Sequence, residues 1–152
     1  MHGTIVCGVS DPPEAHPAIQ LVAALGARLG LRVVFVHVIA GTREVEHDEA
    51  EHRRYRGIEQ KLKAIAGEVG DAAETRIVLG NRVDGLAQAA AEEGADVIVL
   101  GSRARGARGG QLRCRLARDL EAATVVPVLI APPPTRGRSR RRLALVEPAA
   151  GR

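Results

Sequence analysis

Five short runs of β-branched and aliphatic residues, separated by longer stretches with helical spacing, restrict the fold of this chain more than any other feature. The runs are 3–9 (GTIVCGV), 31–38 (LRVVFVHV), 75–79 (TRIVL), 96–100 (DVIVL) and 125–131 (VVPVLIA). Runs that are apolar at nearly every position are typical of parallel strands buried on both faces. Their alternation with helices predicts an α/β fold, an open five-stranded parallel sheet with helices on both faces.

Between the runs, apolar residues recur every three or four positions, which predicts four amphipathic helices. The first is expected after Pro12 and Pro13, and the second follows a polar stretch of residues 42–51 and ends near Gly70. The third is expected to end at Gly94, because glycine is the usual residue just beyond a helix end. The fourth is expected from Leu112, after a loop of residues 101–111.

Pro127 lies inside the fifth run. Proline has no N–H to donate to a neighbouring strand, so the run is predicted to form an edge of the sheet. Its apolar residues are Val125, Val126, Val128 and Ile130. Because an uncovered apolar edge recruits another chain, we expect a homodimer formed through Val125 to Ala131.

The positive charge of the chain is concentrated in its C-terminal segment. The net charge is +4, but residues 136–152 contain six arginines and one glutamate, which leaves 16 basic and 17 acidic residues elsewhere. Residues 133–152 lack a core-forming period and are expected to be a disordered Arg-rich tail beyond a domain of residues 1–132. One hypothesis is weak electrostatic binding of nucleic acid by the tail, and the alternative is a solvated tail without a partner.

The cysteines and the apolar runs indicate the compartment. Cys7 and Cys114 are far apart and no CxxC is present, which disfavours a disulfide framework or a zinc ribbon. No apolar run approaches the length of a membrane span, and Met1 to Thr4 lead into the first strand without a basic leader. We therefore expect a cytoplasmic protein with no membrane partner.

Ligands of open parallel sheets bind beyond the carboxyl ends of the strands, so the residues that follow each run are the candidates for a binding or catalytic site. They contain no GxGxxG, GxxxxGK or GxSxG motif, and the histidines have no matched Ser or Cys nucleophile, so no enzyme is predicted. His47 and His52 are spaced for different helix faces, and no metal site is predicted. His37 is interpreted as a hydrogen-bonded structural residue.

A glycine- and arginine-rich segment, GSRARGARGG at residues 101–110, follows the fourth run. Glycines and backbone amides before a helix N-terminus bind phosphate, and the helix dipole favours an anion there. Residues 103–118 contain six arginines and no acidic residue. The segment is either a phosphate site or a flexible solvated loop.

Three phrases in this order resemble the universal stress protein family over about residues 3–132. They are IVCGVSDPPEAHPAIQLVAALGARLGLRVVFVHV, EEGADVIVLGSRARG and VVPVLIAP. The resemblance implies an adenine-nucleotide alpha-hydrolase-like fold with strand order 3-2-1-4-5, dimers in many members, and an ATP site in one subset.

That subset carries GxxG, nine residues, then Gly followed by Ser or Thr, with an Asp closing the first strand. Gly101 matches the first glycine, but Ala104, Cys114 and Arg115 occupy the other three positions, and Ser10 stands where the Asp is expected, one residue before Asp11. The candidate nucleotide-binding residues implied by the resemblance are Gly8, Val9, Ser10, Asp11, Val38, Leu100, Gly101, Ser102, Arg103, Ala104, Cys114, Arg115 and Leu116.

Two hypotheses follow from the resemblance, and ATP is the possible cofactor in both. The first is a regulatory or interaction module of the stress response with a degenerate ATP site. The site is degenerate under this hypothesis because the Cβ of Cys114 reduces the space in which a phosphate would approach the backbone, and because Arg115 replaces a residue with a small hydroxyl side chain. The second is an adenine-nucleotide sensor in which Arg103, Arg105 and Arg115 bind the phosphates through their side chains.

Overall fold

Five strands and four helices alternate along the chain in a computed structural model, which describes residues 3–9, 12–41, 49–101 and 107–132 and, for 12–16 and 107–114, the backbone only. The elements are β1 (Thr4–Gly8), α1 (Pro12–Leu29), β2 (Arg32–Ile39), α2 (Glu49–Val69), β3 (Ala73–Leu79), α3 (Arg82–Glu92), β4 (Val97–Leu100), α4 (Ala107–Ala123) and β5 (Val128–Ile130).

The strands form one sheet in the order β3-β2-β1-β4-β5, and all four pairings are parallel, as predicted. From β1 the chain moves outward to β2 and β3, and then returns to add β4 and β5 on the other side. The direction of winding therefore reverses between β1 and β4. In open α/β sheets this reversal opens a crevice beyond the carboxyl ends of the two strands.

Each face of the sheet has its own hydrophobic core. On one face Ile5, Cys7 and Phe35 pack against α1 and α2, and Phe35 is fully buried. On the other face Val6 and Val34, which alternate with them along the strands, pack against α3 and α4. The continuous apolar sequence of the inner strands is explained by these two covered faces.

The ends of α3 follow local sequence chemistry. The Asn81 side chain accepts a hydrogen bond of 2.8 Å from the Val83 N–H at the N-terminus, which satisfies one of the free helix donors. Beyond the C-terminus Gly94 has φ 61°, a backbone conformation that favours glycine. The predicted end of this helix is confirmed.

Two helix boundaries and one strand differ from the sequence-based expectations. Helix α2 begins at Glu49, inside the expected polar stretch, because Glu49 and Glu51 in the first turn favour a helix N-terminus. Helix α4 begins at Ala107, so the expected loop through Gln111 is wrong. Packing of the later turns through Ala117 and Leu120 outweighs the low helix propensity of the two glycines near its start.

Strand β5 is an edge strand, as predicted, but it is shorter than residues 125–131. Val125 and Val126 lie before it, and Val125 is fully exposed. Pro127 joins the sheet only through its carbonyl, which accepts a 2.9 Å hydrogen bond from the Ile98 N–H. Because proline has no N–H to donate to β4, the strand begins one residue later, at Val128.

An ion-pair network fastens α3 to β2 and β3 at the amino end of the sheet. Arg32 contacts Glu74 at 3.1 Å and Glu93 at 2.8 Å, and Arg76 contacts Glu93 at 3.0 Å and also pairs with Glu92. The hydrogen bond from Arg32, followed by that from Arg76, lowers the pKa of Glu93. The network fixes the C-terminal end of α3 against the strands.

None of the helices within the described ranges combines the length and the apolar character that a bilayer crossing requires. The expected tail, residues 133–152, lies outside the described part of the chain. Its disorder and its binding to polyanions stay predictions.

Candidate functional site

The carboxyl ends of β1 and β4 are neighbours in the sheet. Gly8 is in register with Leu100, and these are the last paired residues of the two strands. Gly101 follows directly, and Ala131 donates its N–H to the Leu100 carbonyl at 2.8 Å, which ties the end of β5 to the same place. The structure thus brings Gly8, Val9, Leu100 and Gly101 of the candidate set together at the point of reversed winding.

A side chain on Gly8 would be crowded by two leucine side chains. A Cβ on this residue would lie 3.0 Å from Leu100 Cδ2 and 3.3 Å from Leu86 Cδ2. Leu100 and Leu86 are buried in the core beneath α3 and α4, which restricts their movement. The glycine therefore leaves room for these two leucine side chains over the end of β1.

Val9 continues from β1 and is held by β2 on both of its backbone groups. Its N–H donates to the Val36 carbonyl at 2.8 Å, and its carbonyl accepts a 2.6 Å hydrogen bond from Nδ1 of His37. A carbonyl is only an acceptor, so Nδ1 carries the proton and the tautomer of His37 is defined. This contact agrees with the interpretation of His37 as a hydrogen-bonded structural residue.

Val38 is committed to packing under α3. A Cβ on Gly85 would lie 3.1 Å from each of the two Val38 methyl groups, so α3 already contacts this side chain closely. The side chain points to the α3 face, as do those of Val34 and Val36. The Val38 side chain is therefore partly taken up by this packing.

Cys114 and Arg115 lie inside α4, seven and eight residues beyond its first residue, Ala107. At about 1.5 Å per residue the helix start is roughly 12 Å from Arg115. Backbone N–H groups in a helix interior bond to carbonyls four residues earlier and do not reach a phosphate. The helix start expected at Leu112 would place both residues in the first turn, but α4 begins at Ala107 and they lie in its third turn.

Of the remaining candidates on α4, the Arg115 side chain is exposed, and Leu116 is half-buried against the core formed by α3 and α4. Arg115 keeps a freely accessible guanidinium that could pair with phosphate. Ser10, Asp11, Ser102, Arg103 and Ala104 lie outside the described residues, as does Arg105.

Two further observations concern chemistry at or near this site. In the part of the chain that the structure describes, no three His, Cys, Asp or Glu side chains are grouped so that they could hold a metal ion. Cys7 is fully buried, and burial raises the pKa of its thiol to about 12. The thiol is therefore protonated at neutral pH and packs as an apolar side chain.

His37 was not among the predicted site residues, because a single histidine at the end of a strand was interpreted as a hydrogen-bonded structural residue. Its position was nevertheless informative. His37 precedes Val38 on β2 and shares its sheet face with Val33 and Phe35, so it reaches the end of the neighbouring strand β1.

Comparison with known proteins gave a family and a set of similar structures. The model of the "Universal stress protein family" matches residues 1–132, whereas no curated protein matches the chain. Among solved structures, a universal stress protein in complex with cAMP is 18% identical with a TM-score of 0.65, and the match covers 88% of this chain and 99% of that one.

Two further structures extend this likeness. The universal stress protein from Archaeoglobus fulgidus in complex with dAMP is 20% identical with a TM-score of 0.61, and the match covers 87% of this chain and 98% of that one. A universal stress protein family protein from Arabidopsis thaliana with AMP bound is 16% identical with a TM-score of 0.55, with coverages of 84% and 89%. At these identities the likeness establishes the fold.

Proposed function

Because this chain belongs to the universal stress protein family, we propose that it is a regulatory module of the stress response that binds an adenine nucleotide at a degenerate site. The nucleotide would lie beyond the carboxyl ends of β1 and β4, where the winding of the sheet reverses. Support comes from similar structures that hold cAMP, dAMP or AMP. The proposed role is binding and regulation without catalysis, in the cytoplasm.

The observation that carries the proposal is the position of Cys114 and Arg115 within α4. Their backbone N–H groups serve the helix, so the third glycine and the hydroxyl of the ATP-binding motif have no counterpart at a helix start. The rest of the proposed site, at the carboxyl ends of β1 and β4, keeps regular parallel pairing up to Gly8 and Leu100. We therefore expect recognition of the nucleoside and the first phosphate, and little gain from the second and third phosphates.

Calorimetric titration of the purified full-length protein with AMP and with ATP tests this proposal. We expect both nucleotides to bind one per chain, with dissociation constants within about threefold of each other, which is less than about 0.7 kcal/mol. ATP binding more than about tenfold tighter than AMP would show an intact triphosphate site. Absence of binding by either nucleotide at millimolar concentration would contradict nucleotide binding altogether.

A second candidate function is the sensor whose arginine side chains replace the lost backbone contacts. The exposed Arg115 on α4 favours it, because a guanidinium pairs with phosphate in a bidentate manner. Under this alternative Arg115→Ser weakens ATP binding and leaves AMP binding nearly unchanged. The matched control is Arg118→Ser, which removes the same charge from an exposed position one turn farther along α4.

We also propose that the protein is a homodimer formed along β5. The two edges of the sheet differ in charge: β3 carries Glu74 and Arg76, both held in ion pairs, beside an exposed Leu79, whereas β5 is entirely apolar, with Leu129 and Ile130 exposed by 41% and 39%. Charged side chains on an edge strand oppose pairing with another chain, and an apolar edge favours it. The contact is therefore expected at β5, between two copies related by twofold symmetry.

A further inference from the structure

We propose that His37 is a positioning residue for the nucleotide, because it fixes the end of β1 against β2 beside the candidate site. This inference rests on the proposed function. It starts from the two hydrogen bonds of Val9, whose N–H donates to the Val36 carbonyl at 2.8 Å and whose carbonyl accepts from Nδ1 of His37 at 2.6 Å.

His37 supplies the Val9 carbonyl with a hydrogen bond that strand pairing does not provide. Pairing of β1 ends at Gly8, whose partners are Val36 on β2 and Leu100 on β4. Val9 lies beyond this last pair but is only 4% exposed, so its carbonyl needs a donor from the protein. The donor is the His37 side chain, which replaces a strand N–H at the place where β1 leaves the sheet.

The contact acts on the chain that follows β1. Val9 is itself a member of the candidate set, and because a peptide group is planar, fixing its carbonyl fixes the direction in which the chain leaves β1. On the opposite side Gly8 lies directly against Leu100. The end of β1 is thus held to β4 by strand pairing and to β2 by the hydrogen bond from His37.

A purely structural role for His37 makes a different prediction from a positioning role. If His37 only stabilises the fold, nucleotide affinity is the same for every variant that remains folded. If it positions the site, affinity depends on a donor at the location of Nδ1. The amide nitrogen of asparagine comes near that location, whereas the amide nitrogen of glutamine comes near the location of Nε2.

The experiment compares His37→Asn, His37→Gln and His37→Leu in the full-length chain, with AMP as the probe and thermal melting as the measure of folding. The control is Val33→Ala, which removes two buried methyl groups near the opposite end of the same strand, where Val33 is 2% exposed. We expect AMP affinity to fall at least tenfold in the Leu and Gln variants. Affinity should stay within about threefold of wild type in the Asn variant, and Val33→Ala should lower the melting temperature without changing affinity.

The tautomer is tested separately in the wild-type protein by ¹⁵N–¹H correlation of the imidazole. We expect the neutral ring to carry its proton on Nδ1. A proton on Nε2 would overturn the inference, as would His37→Leu with wild-type affinity, or Asn and Gln variants that are equally weak. If His37→Leu does not fold, the comparison of Asn with Gln decides. A wild-type protein that binds no AMP would instead overturn the proposed function, and this inference with it.

Discussion

Helix α3 lies so close to β2 and β3 that a side chain on Gly85 would be crowded. A Cβ there would be 3.1 Å from both methyl carbons of Val38 and 3.2 Å from Cγ1 of Val78. All three neighbours are methyl groups of side chains that pack against the core on that face. The substitution Gly85→Ala therefore tests whether this helix is seated as tightly as the contacts indicate.

Two opposing effects decide whether Gly85→Ala raises or lowers the free energy of unfolding. Replacing glycine by alanine inside a helix stabilises it by about 1 kcal/mol. Overpacking a well-packed core costs about 1 to 3 kcal/mol, and contacts of 3.1 to 3.2 Å require a shift of a few tenths of an ångström. We expect Gly85→Ala to lower the free energy of unfolding by about 1 kcal/mol, the difference between these effects.

Gly57→Ala is the matched control, because Gly57 lies inside α2 and a Cβ there meets nothing within 4 Å. This variant should gain about 1 kcal/mol, so the two variants should differ by about 2 kcal/mol, or roughly 4 to 8 °C in melting temperature. Urea unfolding and thermal melts measure both. If Gly85→Ala stabilises the protein as much as Gly57→Ala does, the close seating of α3 is refuted.

Three further predictions concern the ion-pair network, the dimer edge and the tail. Hydrogen bonding to Arg32 lowers the pKa of Glu93 in the folded protein. The ionised carboxylate therefore stabilises the fold above the ordinary carboxyl pKa, and this stabilisation is lost as the pH falls through the lowered pKa of the folded state. Urea unfolding at about pH 6 and about pH 3 should show a smaller loss of unfolding free energy in Glu93→Gln than in wild type. Light scattering should give the wild-type protein a mass near twice 16.1 kDa. Leu129→Lys on β5 should be monomeric, whereas Leu79→Lys on β3 should remain dimeric. A monomeric wild-type protein would contradict the β5 interface. Deleting residues 136–152 should change the melting temperature by less than about 4 °C and abolish weak polyanion binding, and a larger change would show that the tail packs.

The fold class could be predicted from the sequence because apolar residues are spaced differently in the strands and in the helices. The runs 3–9 and 96–100 are apolar at nearly every position, so a parallel sheet covered on both faces was the simplest arrangement. Pro127 alone identified the edge strand. The strand order came from the resemblance to the family, and the structure confirms it.

The boundaries and part of the site could not be predicted in the same way. Glycines at 109 and 110 indicated a loop, but the later turns of α4 are anchored by Leu120, and tertiary packing outweighed local propensity. That error moved Cys114 and Arg115 from an expected helix start into a helix interior. The contact between His37 and Val9 depends on the register of β2 against β1, which single-sequence patterns do not specify.

The central claim is that an adenine nucleotide binds beyond the carboxyl ends of β1 and β4, and amide chemical-shift mapping during AMP titration tests it most directly. We expect saturable shifts at Gly8, Val9 and Gly101, which lie at that edge. Thr4 and Asp96, which are hydrogen-bonded to each other at the opposite end of the sheet, should not shift. Shifts confined to the amino edge, or no shifts at millimolar AMP, would contradict the account.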